Sequence, residues 1–369
     1  MDRDRRTAGV GWLGAMLLAG LLAAPAVAEP GDQQCSQGDA YLRIGDLDKA
    51  VQCYNDALRA NPKSALAYSR LGNATGKADL KRAIDYYTKA IELDPQTSAQ
   101  ALTGRATAHQ QLGDLNRAIV DFSESIRLNP QYAETYALRA AVFQRRGDLD
   151  RALDDYLKSV QLGIRDPAAF AGRASVWLER GDLDKAAADL AEALRLNPEF
   201  GPAYVVRAKL LLKKKDTQRA LADFERAVRL GVSDPAVYRQ RATLHLEQGD
   251  TTAAIADLSE AIRLAPKTID TLILRGRLLF EKGELDKALE DFQKVLQLGA
   301  REPEAYAGAA AIYAKKGDFQ RVINALDEAI ALDPKAPMLY AARAKAYYEK
   351  GDFRHAQADS VKSRELRLR

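Results

Sequence analysis

The chain has 369 residues, 47% of them hydrophobic and 29% charged, and its Lys+Arg 55 nearly balance Asp+Glu 51 to leave a net charge of +4. An ordinary apolar fraction at near-neutral charge excludes a disordered chain, and 2 Cys exclude a disulfide-stapled miniprotein. So mild a positive balance also argues against a nucleic-acid binder, which concentrates basic residues on one face.

Residues 1–28 read as a secretory signal peptide. Arg3, Arg5 and Arg6 precede an uncharged run from Val10 to Ala28, densest between Trp12 and Ala24, and Ala26-Val27-Ala28 offers a small-x-small cleavage site before Glu29. The competing reading is an uncleaved membrane anchor, weakened by the glycines and Pro25 inside the run. Cleavage implies a mature chain of residues 29–369, exported to a bacterial periplasm or secreted, with no stable membrane insertion.

From residue 31 the sequence repeats with a period of 34. The marker is Gly-Asp-Leu followed by Ala, as in Gly45-Asp46-Leu47 with Ala50 and Gly181-Asp182-Leu183 with Ala186. Counted so that this Gly is position 15, ten copies begin at residues 31, 65, 99, 133, 167, 201, 235, 269, 303 and 337. Apolar residues recur at positions 4, 8 and 11, then at 17, 20, 24 and 27, which is helical spacing. The Gly can end a first helix in the left-handed conformation and the Asp can cap a second. Each copy is therefore a helical hairpin, with Tyr136, Phe143 and Tyr156 as the core rings of the fourth. Copies 4, 6 and 8 close with Gly163, Gly231 and Gly299, and copies 3, 5, 7 and 9 with Pro130, Pro198, Pro266 and Pro334, so a pair of hairpins reads as the duplicated unit. The second copy is one residue short between Gly72 and Ala83, which predicts a local kink. Lys213-Lys214-Lys215 puts Lys where Gly closes the first helix and predicts a strained turn. Ser360 and Ser363, with the charged tail beyond them, are expected to finish the array's end.

Tyr68, Gly72, Ala83, Tyr87, Ala90 and Pro95 show the pattern in one copy, and over residues 31–369 it resembles the tetratricopeptide repeat family. The resemblance implies an all-α solenoid of about ten helix-turn-helix repeats. Its concave groove would be a platform for other proteins or peptides, with no catalysis and no cofactor. It also implies that ligands touch positions 2, 5, 9, 12 and 13 of the first helices. The family's carboxylate clamp is not supported, because no copy has Lys at 5 and Asn73 is the only Asn at 9.

Seven copies carry Arg at position 7 and Asp at 23: Arg105 and Asp121, Arg139 and Asp155, Arg173 and Asp189, Arg207 and Asp223, Arg241 and Asp257, Arg275 and Asp291, Arg343 and Asp359. The other three copies have neither, so the Arg–Asp pair is expected inside each repeat and not between adjacent ones, since the latter arrangement would leave Asp291 facing Ala309. On the inner face, positions 5 and 9 of copies 6 to 10 hold Lys209, Arg239, Arg277 and Lys345 without an acid, and position 13 adds Lys213. Such a floor favours acidic segments. Acids at positions 2 and 13, including Asp270, Glu281 and Glu304, temper it. Position 12 is apolar at Leu178, Leu212, Leu246 and Phe280, either a stripe for a partner or packing between first helices. Export favours a disulfide between Cys35 and Cys53, whereas their positions, 5 and 23, should point to opposite sides of the hairpin. His109 and His245 fall at core position 11, and no metal or nucleophile spacing appears. The expected function is a non-enzymatic scaffold binding protein segments in the cell envelope, the alternative being a binder of an acidic glycan.

Overall fold

The computed structural model describes residues 31–76 and 78–368, so the leader expected over residues 1–28 lies outside the described residues. The chain divides into two compact units, one ending at Val232 and the other beginning at Ser233. The repeat period alone does not mark that division, because Gly231 to Pro235 is a joint like those at Gly163 and Gly299.

Among the described residues of the first unit twelve helices form six hairpins. They are α1 (Asp32–Arg43) with α2 (Leu47–Ala60), α3 (Ala65–Thr75) with α4 (Leu80–Leu93), and α5 (Ala99–Gln111) with α6 (Leu115–Leu128). Then come α7 (Ala133–Arg145) with α8 (Leu149–Gln161), α9 (Pro167–Arg180) with α10 (Leu183–Leu196), and α11 (Gly201–Lys213) with α12 (Thr217–Arg229). The second unit pairs α13 (Pro235–Glu247) with α14 (Thr251–Leu264) and α15 (Ile269–Glu281) with α16 (Leu285–Gln297). It continues with α17 (Pro303–Lys315) beside α18 (Phe319–Leu332) and α19 (Pro337–Glu349) beside α20 (Phe353–Arg367). No strand occurs among the described residues, and none of their helices is long and apolar enough to cross a membrane.

The hairpin turn follows from two residues. Gly113 adopts φ 84 in open space, where an added Cβ would meet nothing within 4 Å, so the backbone conformation and not crowding selects glycine. The next residue caps the second helix: the Asp46, Asp114, Asp148, Asp182, Asp216 and Asp352 carboxylates accept from the backbone N–H three residues on. Lys215 occupies the glycine position at φ 60, the only non-glycine with positive φ among the described residues. Lys215→Gly is therefore expected to stabilise the chain by about 1 kcal/mol, read as a higher urea midpoint.

Asp46, Asp148 and Asp182 are held below the usual carboxylate range by the side chain and then the N–H of the residue three on, and Asp216 and Asp352 by that N–H and then the side chain. A carboxyl depressed by folding stabilises the protein above its unfolded pKa of about 4, and that contribution is lost as pH falls through the lower folded value. Unfolding should steepen below about pH 4. Replacing several caps by Asn, which caps without titrating, should flatten the acid limb of a stability–pH curve.

Rings at position 24 fill the core between hairpins. The Tyr54 and Tyr87 rings occupy the space that a Cβ at Gly38 or Gly72 would need, at 2.4 and 2.5 Å. The ring also reaches the next hairpin: a Cβ on Gly104, Gly172 or Gly308 would come within 2.2–2.5 Å of Tyr87, Tyr156 or Phe292. Neighbouring first helices touch, α3 on α5 and α7 on α9 in the first unit and α15 on α17 in the second, and so share one face.

The short second copy is absorbed in its turn. Its first helix stops at Thr75, whose carbonyl accepts from both Ala78 N and Asp79 N at 2.9 Å. At the array's end Ser363 is 4% exposed and donates to Pro337 O at 2.8 Å, so it is an internal residue and not a finishing one. Ser125 and Ser159 make the same bond inside copies 3 and 4. The outer side of α20 is polar because exposed Gln357 and Arg364 stand where α18 has Ile323 and Ile330.

Candidate functional site: a laddered array with an open first-helix face

The structure brings all seven Arg–Asp pairs together within their own hairpins. In each, the Arg Nε donates to one carboxylate oxygen at 2.7–2.9 Å and Nη2 donates to the other. The fork is bidentate, the arrangement that fixes a guanidinium plane best. An aromatic ring at position 4 lies beside the guanidinium of Arg139, Arg173, Arg207, Arg241 and Arg343, at 5.0–5.9 Å.

The remaining nitrogen adds a contact between adjacent repeats that the sequence did not disclose. Arg105, Arg139, Arg275 and Arg343 each donate through Nη1 to position 25 of the preceding copy, namely Thr88, Ser123, Ser259 and Asp327, at 2.6–3.1 Å. One side chain therefore closes its own hairpin and fastens it to the last. Sequence reasoning missed these acceptors because position 25 holds no single residue type.

Both cysteines are free, which corrects the candidate disulfide. Cys35 is buried with Ala50, Tyr54, Ala57, Ala67 and Leu71, a cluster that excludes Cys53. The physical reason is the hairpin's pairing register, in which position 23 faces position 7 and not position 5. Burial first, then Asp39 and Asp32, pushes the Cys35 thiol up to about 11, so it stays protonated and unreactive at neutral pH. Beside it lies a polar group that the sequence did not disclose: Asp39 accepts from Tyr54 Oη at 2.8 Å and sits 3.1 Å from Arg70 Nε.

Among the groove candidates, Lys209, Lys213, Arg239 and Lys345 are exposed and no ion pair joins them to any described residue. Lys209 and Lys213 stand one turn apart on α11 in the first unit; the other two belong to the second. Arg277 reaches exposed Glu304 at 3.4 Å, a contact worth little in water. At position 12, Leu178 is buried and Leu212, Leu246 and Phe280 are half-buried, Phe280 beneath Lys315 Nζ at 4.4 Å from its ring centre. The row thus contributes chiefly to packing between first helices.

His109 is buried, and burial lowers its pKa; His245 is half-buried and His355 exposed beside Asp352. Among the described residues no group of three or more His, Cys, Asp or Glu could hold a metal ion. Asn73, in a glycosylation-type Asn-Ala-Thr triplet, lies inside α3 and accepts from Tyr87 Oη at 2.7 Å.

A family model described as the Cilia and flagella-associated protein 70 C-terminal domain matches residues 15–234. Tetratricopeptide repeat models match residues 205–269, 239–304 and 279–346. Tetratricopeptide repeat protein 21B of Xenopus laevis is 31% identical over 102 residues, 23% of this chain and 8% of that protein. DnaJ homolog subfamily C member 7 of Homo sapiens is 31% identical over 110 residues, 26% of this chain and 22% of that protein. The matches thus span less than a quarter of either relative. A tetratricopeptide repeat protein from Parabacteroides merdae superposes with a TM-score of 0.53 at 21% identity, covering 68% of this chain and 98% of that one. The human IFIT1 dimer with PPP-AAAA does so with a TM-score of 0.54 at 16% identity, covering 90% and 82%. At these identities the likeness is one of fold.

Proposed function

This chain belongs to the tetratricopeptide-repeat family, and from that membership we propose that its first-helix faces bind segments of other proteins, as a non-enzymatic scaffold exported to the cell envelope. The observation that carries the reading is the division of labour among cations. The ladder arginines are consumed in forks, whereas Lys209 and Lys213 in the first unit, and Arg239 and Lys345 in the second, stand exposed without a carboxylate among the described residues. Such groups favour acidic partner segments and steer their approach, more so at low salt. Export rests on the leader pattern.

Pull-down on the immobilised mature chain tests the binding. Lys209→Glu combined with Arg277→Glu should cut capture of acidic ligands several-fold at low salt and little at high salt. Unchanged capture would remove the cationic floor. A ligand that survives protease treatment would point instead to the acidic glycan. N-terminal sequencing of the exported chain should begin at Glu29.

A further inference from the structure

The ladder contains its own standard for what belongs at its third contact. Thr88, Ser123, Ser259 and Asp327, each at position 25 of its copy, accept from the Nη1 of Arg105, Arg139, Arg275 and Arg343. Arg343 shows the fullest case, with Nε and Nη2 on Asp359 and Nη1 on Asp327 at 2.6 Å, one guanidinium holding two carboxylates. At Arg173 the residue in that place is Leu157, which offers no acceptor, and this arginine's side chain is the least exposed of the seven.

Arg207 differs from both. Its Nε and Nη2 hold Asp223 at 2.7 Å, and the Tyr204 ring lies 5.0 Å from its Cζ. Position 25 before it is the exposed Ala191 on α10, which offers neither an acceptor nor enough side chain to cover the guanidinium. Its side chain is 40% exposed, against 13–23% for the other six ladder arginines, and no hydrogen bond from Nη1 joins it to a described residue. Asp223 and Tyr204 fix the plane, so the free edge is held in one orientation before anything binds.

We propose that Arg207, where α10 meets α11, is a socket for a carboxylate of a partner protein, which completes the two-carboxylate arrangement that Asp327 and Asp359 build around Arg343. Alanines line the approach: Ala188 and Ala191 are exposed one turn apart on α10, leaving room for the main chain that carries the acid. Position 7 lies about 160° around the helix from position 5, so the socket is off the first-helix floor and its fate is separate from that of the binding proposed above.

The test uses the full mature chain labelled in its arginine side chains, with the Arg207 signal identified by its loss in Arg207→Lys. The probe is N-acetyl-Ala-Asp-Ala-amide, with N-acetyl-Ala-Asn-Ala-amide as the uncharged control and N-acetyl-Ala-Ala-Ala with a free terminus as the second carboxylate source. The aspartyl peptide should shift the Arg207 Nε–H and Nη–H signals saturably, and the asparaginyl peptide should not. Response to the free-terminus peptide alone would assign a chain terminus as the source. Ala191→Asp supplies the acceptor from the chain itself. In that variant the signal should start displaced and the aspartyl peptide should bind about tenfold more weakly, the scale of one charge-assisted hydrogen bond. An unresponsive Arg207, or an Ala191→Asp variant that titrates like the parent, would overturn the assignment.

Discussion

Asp291→Ala is expected to destabilise the protein by roughly 3 kcal/mol, the low end for stranding one half of a buried ion pair, because Arg275 keeps some contact with water. The Asp291 side chain is 2% exposed and that of Arg275 is 23%. Truncation removes two of the three bonds to Arg275 and leaves its guanidinium with Ser259 alone, at 2.9 Å. Asp223→Ala should cost less, about 1 kcal/mol, since Arg207 recovers hydration that Arg275 cannot. The pair Arg275→Met with Asp291→Leu should be milder than Asp291→Ala alone, because no charge is left without its partner. Repeat arrays need not unfold as one two-state unit, so the readout is hydrogen exchange of α15 and α16 alongside urea midpoints. Equal losses for Asp291→Ala and Asp223→Ala would refute the link to burial.

Phe292→Ala is expected to be costlier still, about 3–5 kcal/mol, from lost transfer energy and the cavity that remains. Phe292 is almost fully buried among Leu279, Ala288, Val295, Ala309 and Ile312. The informative experiment pairs it with Gly308→Ala. In an ordinary helix interior that change gains about 1 kcal/mol. Here the new Cβ would come within 2.5 Å of the Phe292 ring, whose neighbours leave it nowhere to move, and overpacking of about 1–3 kcal/mol wins. Once the ring is removed the clash is gone and the helical preference returns. Gly308→Ala should therefore destabilise the parent chain and stabilise Phe292→Ala, a reversal of sign visible in thermal midpoints. The same sign in both backgrounds would show that the glycine is kept for some other reason.

How legible the fold was depended on whether a feature repeats as a residue type. Arg173 and Asp189 could be paired from sequence because arginine and aspartate appear and vanish together. The acceptors Thr88, Ser123, Ser259 and Asp327 could not, because two hydroxyl residue types and an acid do one job while Leu157 and Ala191 interrupt the series. Gly104, Gly172 and Gly308 look like incidental glycines at a position that also holds Leu138 and Gln240, and their meaning appears only when the preceding ring is seen against them. Cys35 and Cys53 show the opposite failure. Compartment chemistry favoured joining them, and the pairing register of the hairpin overruled it. The cationic candidates Lys209 and Arg239 were readable as residues of an exposed face, but whether each keeps a free charge depends on neighbours from other helices, which a period of 34 does not specify.

Each fork keeps its acid and its base sixteen residues apart inside a single hairpin. Loss, gain or exchange of whole hairpins therefore carries both charges together and strands neither. The outward nitrogen asks only for some oxygen in the last turns of whatever hairpin precedes it, and tolerates none. As far as these charges are concerned, an array wired in this way can lengthen or shorten by whole hairpins without leaving a buried ion unpaired.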